Sequence, residues 1–198
     1  MPSVADAGPR RCDLARMHHE IGQNLPNNPP LIDNACFWRR GVFPMHIMNL
    51  DTFLAHAVKL EHEASLIYAK SVEVVAARGS LEAEAFFREM AHYSNLHLGK
   101  MMTRAGINNV SELPQQSYLW GSRSAPETLN PVPTSSDIID LDSAMTMALD
   151  AERRAVAFYE SAAQSSADPQ VKALALEFVA EEREHVVALE RFSGLLPY

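Results

Sequence analysis

A glutamate and a histidine three residues apart, Glu182 and His185, stand where a helix should be greasy. Phe178, Glu182, His185, Leu189 and Phe192 follow one another at steps of four, three, four and three, the period of one helix stripe facing a core. An unpaired carboxylate in such a stripe costs on the order of several kcal/mol, so a positive partner is expected inside. Carboxylate plus imidazole is a donor set for a divalent metal. Taken alone, the pair reads more readily as part of the solvated charge run from Glu181 to Glu184.

The elements that must position it are helical. From Asn49 a stripe of Leu50, Leu54, Ala57, Glu61, Ala64, Tyr68, Ser71 and Val75 predicts a first helix over about 49–78, capped by Asn49 or Asp51 and stopped at Arg78-Gly79. A second helix, about 80–105, carries Phe87, Met90, Ser94, His97 and Met101 and ends at Ala105-Gly106. A third, about 137–165, is capped by Asp137 or Asp140 and carries Leu141, Met145, Ala148, Glu152, Ala155, Tyr159 and Ala162. Asp168-Pro169 opens a fourth, running to about Ser193. Short connectors make helices one and two, and three and four, antiparallel hairpins.

Residues 107–136 hold Pro114, Gly121, Pro126, Pro131 and Pro133 and cannot form one long helix. A helix of about 25 residues is about 38 Å long, so a crossover joining parallel neighbours must travel that length again. Tyr118, Leu119 and Trp120 are expected to anchor it on the bundle. Residues 1–48, rich in proline and asparagine and without a sustained period, read as an irregular N-terminal extension, and 49–198 as the helical domain. In the extension, Cys12 and His18-His19 have no partner at ligand spacing and read as part of a solvated arm.

The two hairpins repeat one another. Glu61, Ala64 and Tyr68 lie over Glu152, Ala155 and Tyr159 at identical spacing, and in the helices that follow Glu89 lies over Glu177 and His97 over His185. Each copy therefore puts a Glu on the stripe of its first helix and a His on the stripe of its second. Ionisable residues recurring at matched core positions are poorly explained as solvated charge.

In Glu61-x-x-Ala64-x-x-x-Tyr68, Glu152-x-x-Ala155-x-x-Phe158-Tyr159 and Glu182-x-x-His185, over Asn49 to Phe192, the sequence resembles the rubrerythrin branch of the ferritin-like family. The resemblance implies an all-α four-helix bundle that holds two irons with a Glu from each of helices one and three and a Glu-x-x-His from each of helices two and four. Carried over by position, the implied metal ligands are Glu61, His97, Glu152, Glu182 and His185. The implied cofactor is iron, two ions or one, though the same donors suit Mn(II) or Zn(II). The implied activity is reduction of peroxide or dioxygen, with electrons from an external donor protein, because Cys12 and Cys36 form no Cys-x-x-Cys pair. Tyr68 and Tyr159, seven residues beyond Glu61 and Glu152, could hydrogen-bond ligands or relay an electron, although a buried structural tyrosine is the commoner role. The resemblance also implies a homodimer.

One position departs from that pattern. Three residues before His97, where a second Glu-x-x-His needs its carboxylate, stands Ser94. Glu89 is about 140° round the helix from Ser94, His92 about 200°, and Glu63 about 200° from Glu61, so none of these turns inward; Tyr93 is the nearest alternative and a less usual ligand. With Glu182 bridging, the resemblance gives one metal Glu61, His97 and Glu182, and the other Glu152, His185 and Glu182. Three carboxylates supply −3 against +4 for two ferrous ions, so weaker binding and more open positions are expected, and Ser94→Glu should tighten it. Two functions remain in view: a non-haem iron oxidoreductase, or a metal-binding or structural bundle without turnover.

The 198-residue chain is 47% hydrophobic, ordinary for one globular core, and its formal charge of −8 offers no basic stripe for nucleic acid or anionic membrane. No stretch approaches the roughly 18–20 apolar residues of a membrane span, and no secretory signal is evident, so a cytoplasmic location is expected.

Overall fold

The structure, a computed structural model, describes residues 49–77, 80–114, 118–120 and 125–194. The expected N-terminal extension, with Cys12, Cys36 and His18-His19, and the stop signal at Arg78-Gly79 lie outside the described residues. Within them the chain is all-helical, without strands: α1 (Leu50–Ala76), α2 (Leu81–Ala105), a 3-10 turn (Val110–Glu112), α3 (Leu141–Ser165) and α4 (Pro169–Phe192).

The helix ends follow local chemistry. Asn49 caps α1 by accepting from the Thr52 amide, and Asp168 caps α4 by accepting from the Gln170 amide ahead of Pro169. Gly106 closes α2 in the left-handed region at φ 68°, where a side chain would be strained. The third helix begins later than expected: Asp140, accepting from the Ser143 amide, is its cap, while Asp137 accepts from Thr134 in a turn before it.

Residue pairings fix the topology. Glu61 meets His97 while Tyr68 meets Phe87, so α1 and α2 run antiparallel; Tyr159 meets Phe178 while Glu152 meets His185, so α3 and α4 do too. The four helices thus pack as two hairpins joined by the crossover. Nearly every stripe residue is buried, and the apolar ones fall into two clusters. One gathers Phe53, Leu60, Met101, Tyr159 and Phe178; the other gathers Tyr68, Phe86, Phe87, Met145 and Leu189. Glu61, His97, Glu152, Glu182 and His185 lie on the helices between them, so a polar layer divides the core.

The start of the crossover is anchored as expected. Trp120 is buried, stacks on Tyr118 at 5.4 Å and meets Phe158 edge-on at 5.9 Å. His56 of α1 ties this corner down: its Nδ1 lies 2.8 Å from the Thr52 carbonyl, and its Nε2 accepts from the Leu119 amide at 3.2 Å. One donor and one acceptor describe a neutral imidazole, and burial lowers its pKa. A depressed histidine contributes stability that is present above the unfolded pKa of about 6.5 and lost as pH falls through the folded value. Acidification through that lowered folded value is therefore expected to turn Nε2 into a donor and release Leu119, a local loss of about 1 kcal/mol. Trp120 fluorescence in a Trp38→Phe background should report it, and a His56→Gln variant, which has no such proton, should show no transition.

Candidate metal centre

The polar layer takes one residue from each of α1, α2 and α3 and two from α4. Glu61 and Glu152 project from the middle of α1 and α3, His97 from α2, and Glu182 with His185 from α4, each at the stripe position that periodicity assigns. Glu61 is 0% exposed, and neither of its carboxylate oxygens meets a hydrogen-bond donor. The two imidazoles stack at 4.6 Å between ring centroids. His185 Nδ1 lies 2.9 Å from Glu182 and 3.5 Å from Glu152, and His97 Nδ1 lies 3.7 Å from Glu61, so each histidine faces the glutamate of its own hairpin.

Two overlapping groups have the compactness of a metal site. Donor atoms of His97, Glu182 and His185 lie within 4.8 Å of one another, and so do those of Glu61, Glu127 and Glu182. Glu182 is common to both, as a bridging residue would be. Both histidines fall in one group, however, rather than one on each side. Glu152 is in neither triad, though it is buried against His185.

Glu127 is the residue that helix periodicity does not find. It comes from the irregular crossover, is 2% exposed, and leaves Oε2 without a hydrogen-bond partner. It lines a cavity of about 20 Å³ together with Tyr93, Ser94, His97, Glu152 and His185. That is room for about one water-sized molecule. The crossover thus adds a buried carboxylate to the space that Ser94 borders. Other residues weighed from the sequence lie elsewhere: Glu177, matched to Glu89 in the repeat, is half exposed and bound to Arg104 at 2.5 and 2.9 Å.

Charge within the layer is strongly perturbed. Burial, and then the charges of Glu182 and Glu152, push the Glu61 carboxyl well above its ordinary range. Glu127 is raised by burial and by Glu61, Glu182 and Glu152 in turn. Glu182 is raised by burial, against the pull of His185. Burial would lower His185, but Glu182 and Glu152 outweigh it and hold it well above an ordinary imidazole. His97 is lowered to about 4 by burial and by its cationic neighbour His185. Without a cation, then, burial and mutual repulsion favour the protonated forms of Glu61 and Glu127. Orphaned oxygens, raised carboxyls and two imidazoles fit a divalent metal, which would take the place of those protons.

Tyr68 and Tyr159 are fully buried, one in each apolar cluster, and neither hydroxyl has a hydrogen-bond partner. Burial raises both, followed by the charge of Glu152 and Glu127 for Tyr68 and of Glu61 and Glu182 for Tyr159. Both apolar halves thus carry a tyrosine that feels the charge of the layer.

All-helical topology, a long crossover and a buried layer of glutamate and histidine define a ferritin-like bundle able to hold metal. No family model and no curated protein matches the sequence. A solved structure does: a protein described as an uncharacterized conserved protein from Magnetospirillum magnetotacticum MS-1 shares 35% identity over 76% of this chain and 97% of its own, with a TM-score of 0.55. The chain belongs to the same conserved family, and its fold is of the ferritin-like type. Among the described residues, no helix is long and apolar enough to cross a membrane.

Proposed function

We propose that this protein is a rubrerythrin-like non-haem metal oxidoreductase, holding two ions, of iron, in its polar layer and reducing peroxide or dioxygen with electrons from a separate donor protein. The observation that supports it is Glu61: a carboxylate at the centre of the bundle with both oxygens unpartnered and two more carboxylates beside it. Burying such a group without a counter-charge costs on the order of several kcal/mol, which a purely structural bundle would shed by mutation to leucine. The residues that would hold the ions are Glu61, His97, Glu152, Glu182 and His185, with Glu182 shared.

Bound there, a redox-active ion would pass electrons from an outside donor to a small oxidant. The chain's own part is confinement. The two apolar clusters exclude bulk water on either side of the layer, and the cavity beside Ser94 has room for about one molecule of the size of water. His97, held neutral, keeps a lone pair for a metal at near-neutral pH, whereas His185 must release a proton on loading.

Expression in iron-supplemented medium is expected to give stoichiometric iron, two ions per chain, and consumption of peroxide in the presence of a reductant, lost on chelation. A well-folded protein that refuses added Fe(II) would sink the proposal. Tight iron without turnover would leave the metal-binding reading and remove the oxidoreductase.

A further inference from the structure

The carboxylate that α2 does not supply is available from the crossover. We infer that Glu127 is a metal ligand standing in for the glutamate absent at Ser94, and that Glu63 and Arg154 are the residues that position it. The inference rests on the metal-binding reading above and adds to it a ligand from outside the four helices.

The strap around Glu127 is a built structure. Residues 125–129 are buried throughout, though they belong to an irregular connector. Thr128 closes the turn by donating to the Ala125 carbonyl from both its amide, at 3.1 Å, and its hydroxyl, at 2.7 Å. The turn is then gripped from two helices. Glu63 of α1 accepts from the Ala125 amide at 3.1 Å. Arg154 of α3 donates to the Pro126 carbonyl at 3.0 Å and to the Thr128 carbonyl at 2.8 Å, one on each side of Glu127. Glu63 and Arg154 occupy equivalent places in the two copies of the repeat, each two residues beyond its inward glutamate. Both face away from the bundle axis, and the crossover runs where they face.

Backbone held this firmly leaves the Glu127 side chain little choice of direction, and it points inward. A connector residue has solvent within reach, so a buried carboxylate with one oxygen unpartnered, beside Glu61 and Glu182, needs a cation to justify its cost. Charge agrees. Glu61, Glu127, Glu152 and Glu182 supply four negative charges, which balance two divalent ions where three carboxylates would leave one positive charge over. Ser94 lines the same cavity as Glu127, so the two positions address the same space.

The test is anaerobic titration of Co(II) into the metal-free full chain, followed by visible absorption, with thermal melting as a second readout. Wild type is expected to take up two Co(II) per chain. Glu127→Gln should bind the second ion at least about tenfold more weakly, since even residues that only orient a ligand are worth about 10–100-fold. Arg154→Met should weaken the same ion. Ser94→Glu combined with either Glu127→Ala or Arg154→Met should restore it, because that carboxylate comes from α2 and needs no strap; a structural defect would not be repaired this way. Wild-type stoichiometry and affinity in Glu127→Gln would overturn the inference while leaving the metal centre standing. Failure of the wild type to take up Co(II) would remove the metal centre, and this ligand with it.

Discussion

Replacing Glu61 with leucine is expected to raise the stability of the metal-free protein and to weaken metal binding in the same variant. Glu61 is enclosed on all sides, with Leu60 and Ala64 as neighbours in its helix and no donor for either oxygen. Its carboxyl is forced well above its ordinary range by burial first and by Glu182 and Glu152 next, so at neutral pH the folded chain must either hold a proton there or bury a charge. Leucine has a similar volume and neither cost. Exchange of buried ionic groups for packed hydrocarbon is often neutral or stabilising by about 1–4 kcal/mol, which in a chain of this size moves the melting temperature up by roughly 2–16 °C. For metal the sign reverses: Co(II) or Fe(II) affinity should fall by at least about tenfold, since a direct donor is lost. Chelated wild type and chelated Glu61→Leu, melted side by side, give the first number, and metal titration gives the second. If the metal-free variant melted below the wild type, Glu61 would be a structural group whose partner the geometry does not reveal, and the case for a cation would lose its main support.

That opposition of signs explains what was legible in the sequence and what was not. A buried ionisable residue breaks a periodic apolar stripe, and the break is visible without coordinates. Glu61, His97, Glu152, Glu182 and His185 all carry this mark, and the structure brings all five into one layer. Matching the two hairpins turned separate anomalies into a pattern. Glu127 left no such trace. It stands in a segment of prolines and turns, where no period predicts which way a side chain points, and only its contacts across long sequence separations place it beside Glu61. Angles around α1 and α2 say nothing of a residue that lies outside the helices. The outward reading of Glu63 was geometrically sound, yet outward here means toward the crossover rather than toward solvent. The start of α3 falls at the second of the two caps the sequence offers, Asp140, because the earlier one, Asp137, is used by a turn. Assignment of one histidine to each metal came from the resemblance. The stacking of His97 on His185 is a matter of side-chain packing that spacing does not encode.

Phe178→Ala is expected to have the largest effect on folding, and it shows how the apolar halves support the layer between them. Phe178 is fully buried, stacks on Phe53 at 5.8 Å, meets the edge of Tyr159 at 5.2 Å and lies under the Arg104 guanidinium at 5.3 Å. It therefore joins α1, α2, α3 and α4 at one point. Truncation removes the transfer free energy of the ring and leaves a cavity that three other helices cannot all close, a cost of about 3–5 kcal/mol. The melting temperature should drop by roughly 6–20 °C. Phe178 also stands one turn before Glu182 on the same face of α4, so loosening it frees the segment that offers two donors to the site. Unlike Glu61→Leu, this variant should lose stability with or without metal, and its metal affinity should fall only as far as α4 loses its fixed position. Added metal should recover part of the loss, by about 2.7 kcal/mol at a free concentration of about 100 times the dissociation constant. If metal raised the melting temperature of wild type and Glu61→Leu equally, the ions would be bound somewhere other than the layer between the two clusters.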